Sequence, residues 1–152
     1  MNMKKVNLDT WIQLIGMLSV LAGLVFVGLE MQQNQRIALA AQQTARVEIF
    51  SEMVNSLTES GVQYQAILTP NEEFDPQRNV AHQLLWIFEN DFLQYSLGLM
   101  DESIWQSKLR VMLGNFARCG NQVYIQRKSS LDQRLVKLIN DAIPDDCIHK
   151  DK

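Results

Sequence analysis

A run of 20 residues without a charged side chain lies near the start of the chain. It extends from Thr10 to Leu29, and its only other clearly polar members are Gln13 and Ser19. About 20 apolar residues suffice for a helix to cross the hydrocarbon core of a bilayer, whereas a soluble helix is seldom apolar on every face over such a length. The pattern therefore predicts a transmembrane helix over residues 10–29.

Two other interpretations of this run remain open, namely a cleaved secretory signal and the core helix of a soluble protein. The chain starts with the basic stretch MNMKK, and the triplet at residues 38–40, ALA, has the A-x-A form of a cleavage site. That triplet lies beyond the apolar run, however, with Glu30 and Arg36 between them. The run is also longer than the ~7–15 residues usual for a signal. The membrane anchor is therefore the favoured interpretation.

Small residues share one face of the predicted span. Gly16, Ser19 and Gly23 follow each other at steps of three and four. The last two have the small-x-x-x-small form that allows membrane helices to approach closely, although glycine is common in membrane helices in general. This face is a candidate surface for self-association, which makes the chain a candidate homo-oligomer.

Basic residues near the span indicate its orientation only through a small asymmetry. Lys4 and Lys5 precede the span, and Arg36 and Arg46 follow it, so the two sides carry equal numbers. The lysines are adjacent and lie near the terminal amine, which favours an N-terminus in the cytoplasm. We therefore expect a single-pass protein of the cytoplasmic (inner) membrane, with its larger C-terminal domain outside the cytoplasm.

After the span, the pattern changes to an apolar stripe on one side of a helix. Apolar residues recur at steps of three or four from Ile37 through Phe50 to Leu57, while glutamine and glutamate are frequent between them. Neither proline nor glycine interrupts residues 30–60. The span is therefore predicted to continue into one amphipathic helix, which Gly61 can end.

Start and stop signals divide the rest of the chain into shorter helices. Asp75 and Pro76 form a helix start, because an aspartate side chain caps free backbone N–H groups and proline suits the first helical position. Asp101 is a second candidate cap, and a last helix is predicted from Ser130 to a stop at Pro144. The residues expected to face inward are Ala81, Leu84, Leu85, Phe88, Phe92, Tyr95, Leu99, Trp105, Leu109, Met112, Leu113, Phe116, Leu131, Leu135, Leu138, Ile139 and Ala142.

The predicted fold class is all-α: an N-terminal transmembrane helix continues into a long amphipathic helix that packs with a small antiparallel helical bundle. Residues 122–127 also suit a strand, but helix is favoured because an isolated strand has no pairing partner. The predicted domains are a short polar tail at 1–9, the transmembrane helix at 10–29, the amphipathic helix at 30–60, the bundle domain at 61–143 and a flexible tail at 144–152.

Charge and motifs exclude several classes of function. From residue 30 onward the chain has 12 Lys and Arg and 16 Asp and Glu, so nucleic acid, which requires clustered cations, is not expected as a partner. The mildly basic set Arg127, Lys128, Arg134 and Lys137 is interpreted as solvated helix surface, near anionic lipid headgroups at most. The chain has no G-x-S-x-G, P-loop or G-x-G-x-x-G motif, and no cofactor is expected.

The histidines and cysteines are too few and too scattered to predict a metal site. Cys147 and His149 form a C-x-H pair, but a structural zinc ion needs two further ligands, and neither Cys119 nor His82 is near in sequence. The two cysteines instead follow two predicted helices, which makes them a candidate disulfide in an oxidising compartment. Two unrelated thiols are the alternative.

Polar side chains interrupt the most aromatic helix, in the stretch WIFENDFLQY. Glu89 and Asp91 flank Asn90, and each carboxylate is next to a phenylalanine expected to face inward. A buried carboxylate has a raised pKa and can take part in acid–base chemistry. The alternative is that Glu89 and Asn90 lie at the solvent edge or bond to a neighbouring helix. The candidate ligand pocket comprises Trp86, Glu89, Asp91, Tyr95 and Trp105.

Two stretches carry a resemblance to a known group of proteins. VGLEMQQNQRI and IFENDFLQYSLGLMDESIW resemble segments of uncharacterised bacterial single-pass membrane proteins, in which an N-terminal span runs into a Q/E-x-x-Q-N segment and a small helical domain. The second stretch contributes Glu89, Tyr95, Gly98, Leu99, Asp101, Glu102 and Trp105. The resemblance implies an anchor followed by a bundle, and it implies no activity.

Two hypotheses of function follow from these patterns. The first is a membrane-anchored helical interaction or scaffold module that holds the lipid bilayer through residues 10–29 and binds an unknown protein partner. The alternative is a membrane-anchored sensor of a small ligand, or less readily an enzyme, with a pocket near Glu89, Asp91 and Tyr95. A concave pocket lined by Trp86, Glu89 and Trp105 would favour the sensor, and a filled core would favour the scaffold.

Overall fold

The computed structural model describes residues 8–67, 73–144 and 147. The predicted all-α fold class is confirmed, since 81% of the described residues are helical and shorter helices pack against a long N-terminal one. The elements are α1 (Leu8–Glu59), a 3-10 turn (Tyr64–Ile67), α2 (Pro76–Ser96), α3 (Glu102–Phe116), α4 (Gln122–Arg127) and α5 (Gln133–Asp141). The chain divides into two compact units at residues 39 and 40.

The N-terminal unit consists of the first part of α1. All of its described side chains, from Leu8 to Leu39, are exposed, including Trp11 and Phe26. Its most apolar window has a mean hydropathy of 2.3 and none of it is buried in the fold. Among the described residues, α1 is therefore the one helix that is long and apolar enough to cross a membrane, and it is not covered as a soluble core helix would be.

The second unit starts with the remainder of α1, whose apolar stripe faces the other helices. Ala40, Val47, Phe50 and Val54 are buried, as the stripe predicted. Ile37, at the start of the predicted stripe, is exposed, and the first buried residue of α1 is Ala40.

The helix boundaries follow their local signals at most positions. Asp75 caps α2, where its Oδ1 atom accepts hydrogen bonds from two backbone N–H groups, and Pro76 is the first helical residue, as predicted. Gly98 adopts a positive φ of 74° just after α2, a conformation that glycine adopts without strain. The start of α5 was predicted wrongly: it begins at Gln133 rather than at Ser130, because Asp132 supplies the cap.

Helices α2 to α5 enclose the main hydrophobic core. Its buried members are Leu85, Phe88, Phe92, Trp105, Met112, Phe116, Val123, Tyr124, Leu131, Leu135, Val136 and Ile139. Four residues predicted to face inward are exposed instead, namely Leu84, Leu99, Leu138 and Ala142. These four residues lie at the edges or ends of the apolar faces of their helices, where the neighbouring helices do not cover them.

A disulfide joins Cys119, just after α3, to Cys147, after α5, with 5.2 Å between the Cα atoms. It closes a loop with a sequence separation of 28 residues that contains α4 and α5. The other residues of the predicted C-terminal tail, apart from Pro144, lie outside the described residues, as do residues 1–7 of the predicted polar tail.

Candidate functional site

The five residues of the predicted pocket do not line one common cleft. Trp86 stacks on Phe50 of α1, with 4.8 Å between the ring centroids. Asp91 lies on another side of α2 and pairs with Lys108 of α3. Tyr95 and Trp105 also lie on this second side, so α2 separates the predicted set into two groups.

The group facing α3 is part of the filled core. The Trp105 ring packs against Phe92 and stacks on Tyr95, with centroid distances of 5.6 and 5.1 Å. The Tyr95 hydroxyl donates a hydrogen bond of 2.6 Å to Glu102 Oε2, which raises the pKa of Tyr95 and lowers that of Glu102. The Lys108 Nζ atom lies 2.8 Å from Asp91 Oδ2. The polar groups on this side are thus paired with each other.

Glu89, a member of the predicted set, lines a cleft. This cleft of about 180 Å³ is lined by Gln43, Glu89, Phe92, Leu93 and Asp132. Glu89 Oε1 accepts a hydrogen bond of 2.9 Å from the backbone N–H of Asp132. Burial raises the pKa of the Glu89 carboxyl, and this hydrogen bond opposes the rise. The carboxyl can therefore exchange a proton closer to neutral pH than an exposed glutamate.

On its other side, α2 contributes to a polar-aromatic layer, which we define as Phe50, Tyr64, His82, Trp86 and Arg127. The Tyr64 ring centroid lies 5.2 Å from that of Phe50 and 5.1 Å from that of His82. The Arg127 guanidinium lies 4.9 Å from the Trp86 ring centroid and 5.8 Å from that of Phe50. One buried cation is thus held against two aromatic rings.

The interpretation of Arg127 as solvated surface is wrong, because only 8% of the residue is exposed. Arg127 follows the buried residues Val123 and Tyr124 by four and three positions, so all three share one face of α4. The same spacing is visible in the sequence and was the signal that could have located Arg127 in the interior. Its neighbour Lys128 is exposed.

His82 is fully buried within the polar-aromatic layer. Neither of its ring nitrogens has a hydrogen-bond partner among the described residues. Burial, followed by the positive charges of Arg127 and Arg78, lowers the pKa of His82 to about 4. The imidazole is therefore neutral at pH 7, and the surrounding potential is positive.

Metal ligands do not cluster in the part of the chain that the structure describes. No group of three or more His, Cys, Asp or Glu residues there could hold a metal ion. Of the C-x-H pair, Cys147 is bonded to Cys119, and His149 lies outside the described residues.

The candidate self-association face lies on an exposed part of α1. Gly16 helps to form a shallow groove together with Gln13, Met17, Val20 and Leu21. The Ser19 hydroxyl donates to the carbonyl of Ile15 in the same helix at 2.8 Å. Gly23 has open space around the position of a Cβ atom. Self-association through Gly16, Ser19 and Gly23 remains a prediction.

Three comparisons complete this description of the site. The chain matches no protein-family model, no curated protein and no solved structure. Its function is therefore argued from the geometry alone.

Proposed function

We propose that this chain is a membrane-anchored helical interaction module. In this proposal, the first part of α1 crosses a bilayer and the bundle domain presents a surface to a protein partner. The observation that carries the proposal is the complete exposure of the apolar residues along that part of α1. Transfer of apolar surface from water to hydrocarbon is favourable by about 25 cal/mol per Å², so a bilayer stabilises this segment in a way that water does not.

We further propose that the bilayer is the cytoplasmic (inner) membrane, that the chain crosses it once and that the bundle lies outside the cytoplasm. The disulfide between Cys119 and Cys147 supports this orientation, because disulfides persist in oxidising compartments and are rare in the cytosol. The basic pair Lys4 and Lys5 supports the same orientation.

The bundle offers an apolar surface for a partner on its outer side. Val80, Leu84 and Ile87 follow each other on α2 at steps of four and three and therefore share one face. All three are exposed, with Leu84 at 37%, although the sequence placed Leu84 in the core. Exposed apolar surface of this kind is used for protein interaction.

A second candidate function is a membrane-anchored sensor of a small ligand. The observation that favours it is the cleft beside Glu89, where a carboxyl with a raised pKa meets Gln43 and Asp132. Asp91 and Tyr95 lie on another side of α2 and do not line this cleft. The sensor hypothesis therefore depends on Glu89.

The anchor is tested by extraction of membranes at alkaline pH, which leaves integral proteins in the pellet. We expect the wild-type chain in the pellet and expect Val20→Arg to weaken membrane insertion, because an arginine at the centre of a span costs about 3 kcal/mol. Ile49→Arg, an exposed position of α1 beyond the predicted span, is the control and should remain in the pellet. Recovery of the wild type in the soluble fraction, or a mature N-terminus beyond residue 40, would contradict the anchor.

The orientation is tested by adding protease to spheroplasts. A bundle domain outside the cytoplasm is digested while the membrane is intact, and a bundle domain inside is digested only after lysis. Protection in intact spheroplasts would contradict the proposed orientation and leave the anchor untouched.

The partner surface is tested by site-specific photo-crosslinking in native membranes. A photoreactive residue at position 84 should yield a crosslinked product with a different protein, and one at the exposed Ser103 of α3 should not. Leu84→Glu, introduced beside a photoreactive residue at position 80, should abolish the product. Equal products at both sites, or crosslinks to this chain alone, would contradict the interaction module.

A further inference from the structure

We propose that Arg127 anchors a binding site for a small monovalent anion inside the bundle domain, within the polar-aromatic layer between α1, α2 and α4. The anion carries one negative charge on a compact acceptor, such as a halide ion or the carboxylate end of a small molecule. This proposal goes beyond membrane anchoring and partner binding and does not depend on either.

The first observation is that Arg127 is buried without contact to a counter-charge among the described residues. Its Nε atom donates to the Ser130 hydroxyl at 3.3 Å, while its Nη1 atom is buried and has no acceptor. None of the ion pairs among the described residues includes Arg127. A buried charge without a partner is strongly unfavourable, so buried cations in proteins normally contact an anion.

The second observation is that further hydrogen-bond donors in this region also lack acceptors. The Nε1 atom of Trp86, whose ring lies against the Arg127 guanidinium, is buried and unbonded. The Nε2 atom of Gln63 is in the same state, although its Oε1 atom accepts from the backbone of Asp75. Unbonded buried acceptors such as Gln65 Oε1, Asn90 Oδ1 and the second ring nitrogen of the neutral His82 belong to uncharged groups, which do not neutralise a guanidinium.

The charges around the polar-aromatic layer also favour an anion. The neutral His82 ring offers one N–H donor, and the charges of Arg127 and Arg78 both act on it. Glu89 attracts Arg127 at longer range, while its Oε1 atom accepts the hydrogen bond from the backbone of Asp132. No acidic side chain among the described residues forms an ion pair with Arg127.

The packing of the layer limits the size of the ligand. Phe50 lies within 4.8 Å of the Trp86 centroid and 5.2 Å of the Tyr64 centroid, so the rings leave little room between them. A compact monovalent anion also loses less hydration free energy on burial than a divalent oxyanion such as sulfate. We therefore expect chloride or formate to bind and sulfate not to bind.

The test is thermal unfolding of the full chain in micelles of a non-ionic detergent, followed by circular dichroism. Chloride, formate and sulfate are added as sodium salts at equal ionic strength to a buffer free of halide and carboxylate. We expect a saturable rise in Tm of about 10 °C at about a hundred times Kd for a bound anion. A rise with formate alone identifies a carboxylate site, and a rise with chloride alone identifies a halide site; either supports the proposal.

Two variants and a matched control connect the effect to the polar-aromatic layer. Arg127→Met should fold, because it removes a buried cation that is costly to bury without a counter-charge, and should lose the anion-dependent rise. Arg110→Met makes the same charge change at an exposed position and should retain it. Trp86→Phe keeps an aromatic ring at this position and removes the Nε1 donor, so Kd should increase about tenfold.

The proposal is overturned by two results. One is a Tm that does not depend on any of the three anions, which would mean that water satisfies the buried donors. The other is an equal rise in the wild type and in Arg127→Met, which would mean a general salt effect on folding.

Discussion

At the scale of single residues, buried polar side chains determine how the chain turns after α1. Asn79 is fully buried on α2, and its Oδ1 atom accepts a hydrogen bond of 2.9 Å from the backbone N–H of Tyr64. Its Nδ2 atom donates to the Thr58 hydroxyl at 2.9 Å and to the Val62 carbonyl at 3.1 Å. One amide therefore satisfies polar groups at the end of α1 and in the segment that follows it.

Replacement of this amide should destabilise the bundle domain. Asn79→Ala leaves the Tyr64 N–H and the Val62 carbonyl without their partner, which should lower the free energy of unfolding by about 2–4 kcal/mol. Asn115→Ala is the control, because Asn115 is exposed and bonds within its own helix, and it should change the free energy by less than about 0.5 kcal/mol. Chemical denaturation of both variants in micelles measures the difference, and equal losses would contradict this role of Asn79.

His82 should make the stability of the bundle domain sensitive to acid. The folded-state pKa of about 4 lies below the ordinary histidine pKa of 6.5, so the unfolded chain binds the proton first as pH falls. The contribution of the neutral, buried His82 to the free energy of unfolding is fully present above pH 6.5 and is lost between pH 6.5 and about 4. Relative to His82→Leu, the wild type should lose about 3 kcal/mol over this range. Parallel pH profiles for the two proteins would show that His82 does not titrate in this way.

The sequence identifies such residues only in part. Apolar side chains could be assigned to a helix face by their period, but Asn79, His82 and Arg127 are polar residues on buried faces. Their burial depends on contacts with segments distant in the sequence, such as Tyr64 with Asn79 and Phe50 with Arg127. The periodicity of apolar residues indicates which face of a helix a residue occupies. It does not indicate which residues of other segments pack against that face.

At the scale of helices, caps account for the boundaries that could be predicted. Asp75 accepts from the backbone N–H groups of Gln77 and Arg78 at 2.9 and 3.3 Å, whereas Asp101, at the same position of α3, makes no side-chain cap bond. Both residues were predicted as caps because the residue type is the same. The two residues also differ in backbone conformation, with φ of −132° at Asp75 and −67° at Asp101, a difference that the residue type does not predict.

These two aspartates form a matched pair for a test. Asp75→Ala should lower the free energy of unfolding by about 1 kcal/mol, because two N–H groups at the start of α2 lose their acceptor. The backbone bond from Asp75 to Gln63 survives this substitution. Asp101→Ala should cost only a few tenths of a kcal/mol. Denaturant midpoints of the two variants measure the contrast, and similar midpoints would refute the assignment of the caps.

At the scale of the whole molecule, the fold class could be predicted and the candidate site could not. The apolar run and the helical stripes are strong one-dimensional signals, and both reappear in the structure as an exposed apolar segment of α1 and a helical core. The pocket was inferred from neighbours within one helix. Glu89 and Asp91 point to different sides of α2, because residues two positions apart on a helix are separated by about 200°.

The disulfide should make a large contribution to the stability of the bundle domain. For the sequence separation of 28 residues between Cys119 and Cys147, the chain-entropy model gives about 3.5 kcal/mol. Reduction of the wild type should therefore lower the denaturant midpoint, and the double variant Cys119→Ser, Cys147→Ser should have the low midpoint with or without reductant. Unchanged unfolding of the wild type after complete reduction would contradict this prediction.

The same bond has a consequence for proteolysis. Because Cys119 and Cys147 are joined, the chain between them is a closed ring that contains α4 and α5. A single cut inside the ring adds one water molecule to the mass and releases no fragment until a reductant is added. A nicked molecule therefore keeps Arg127 covalently attached to α1 and migrates as an intact chain on a non-reducing gel.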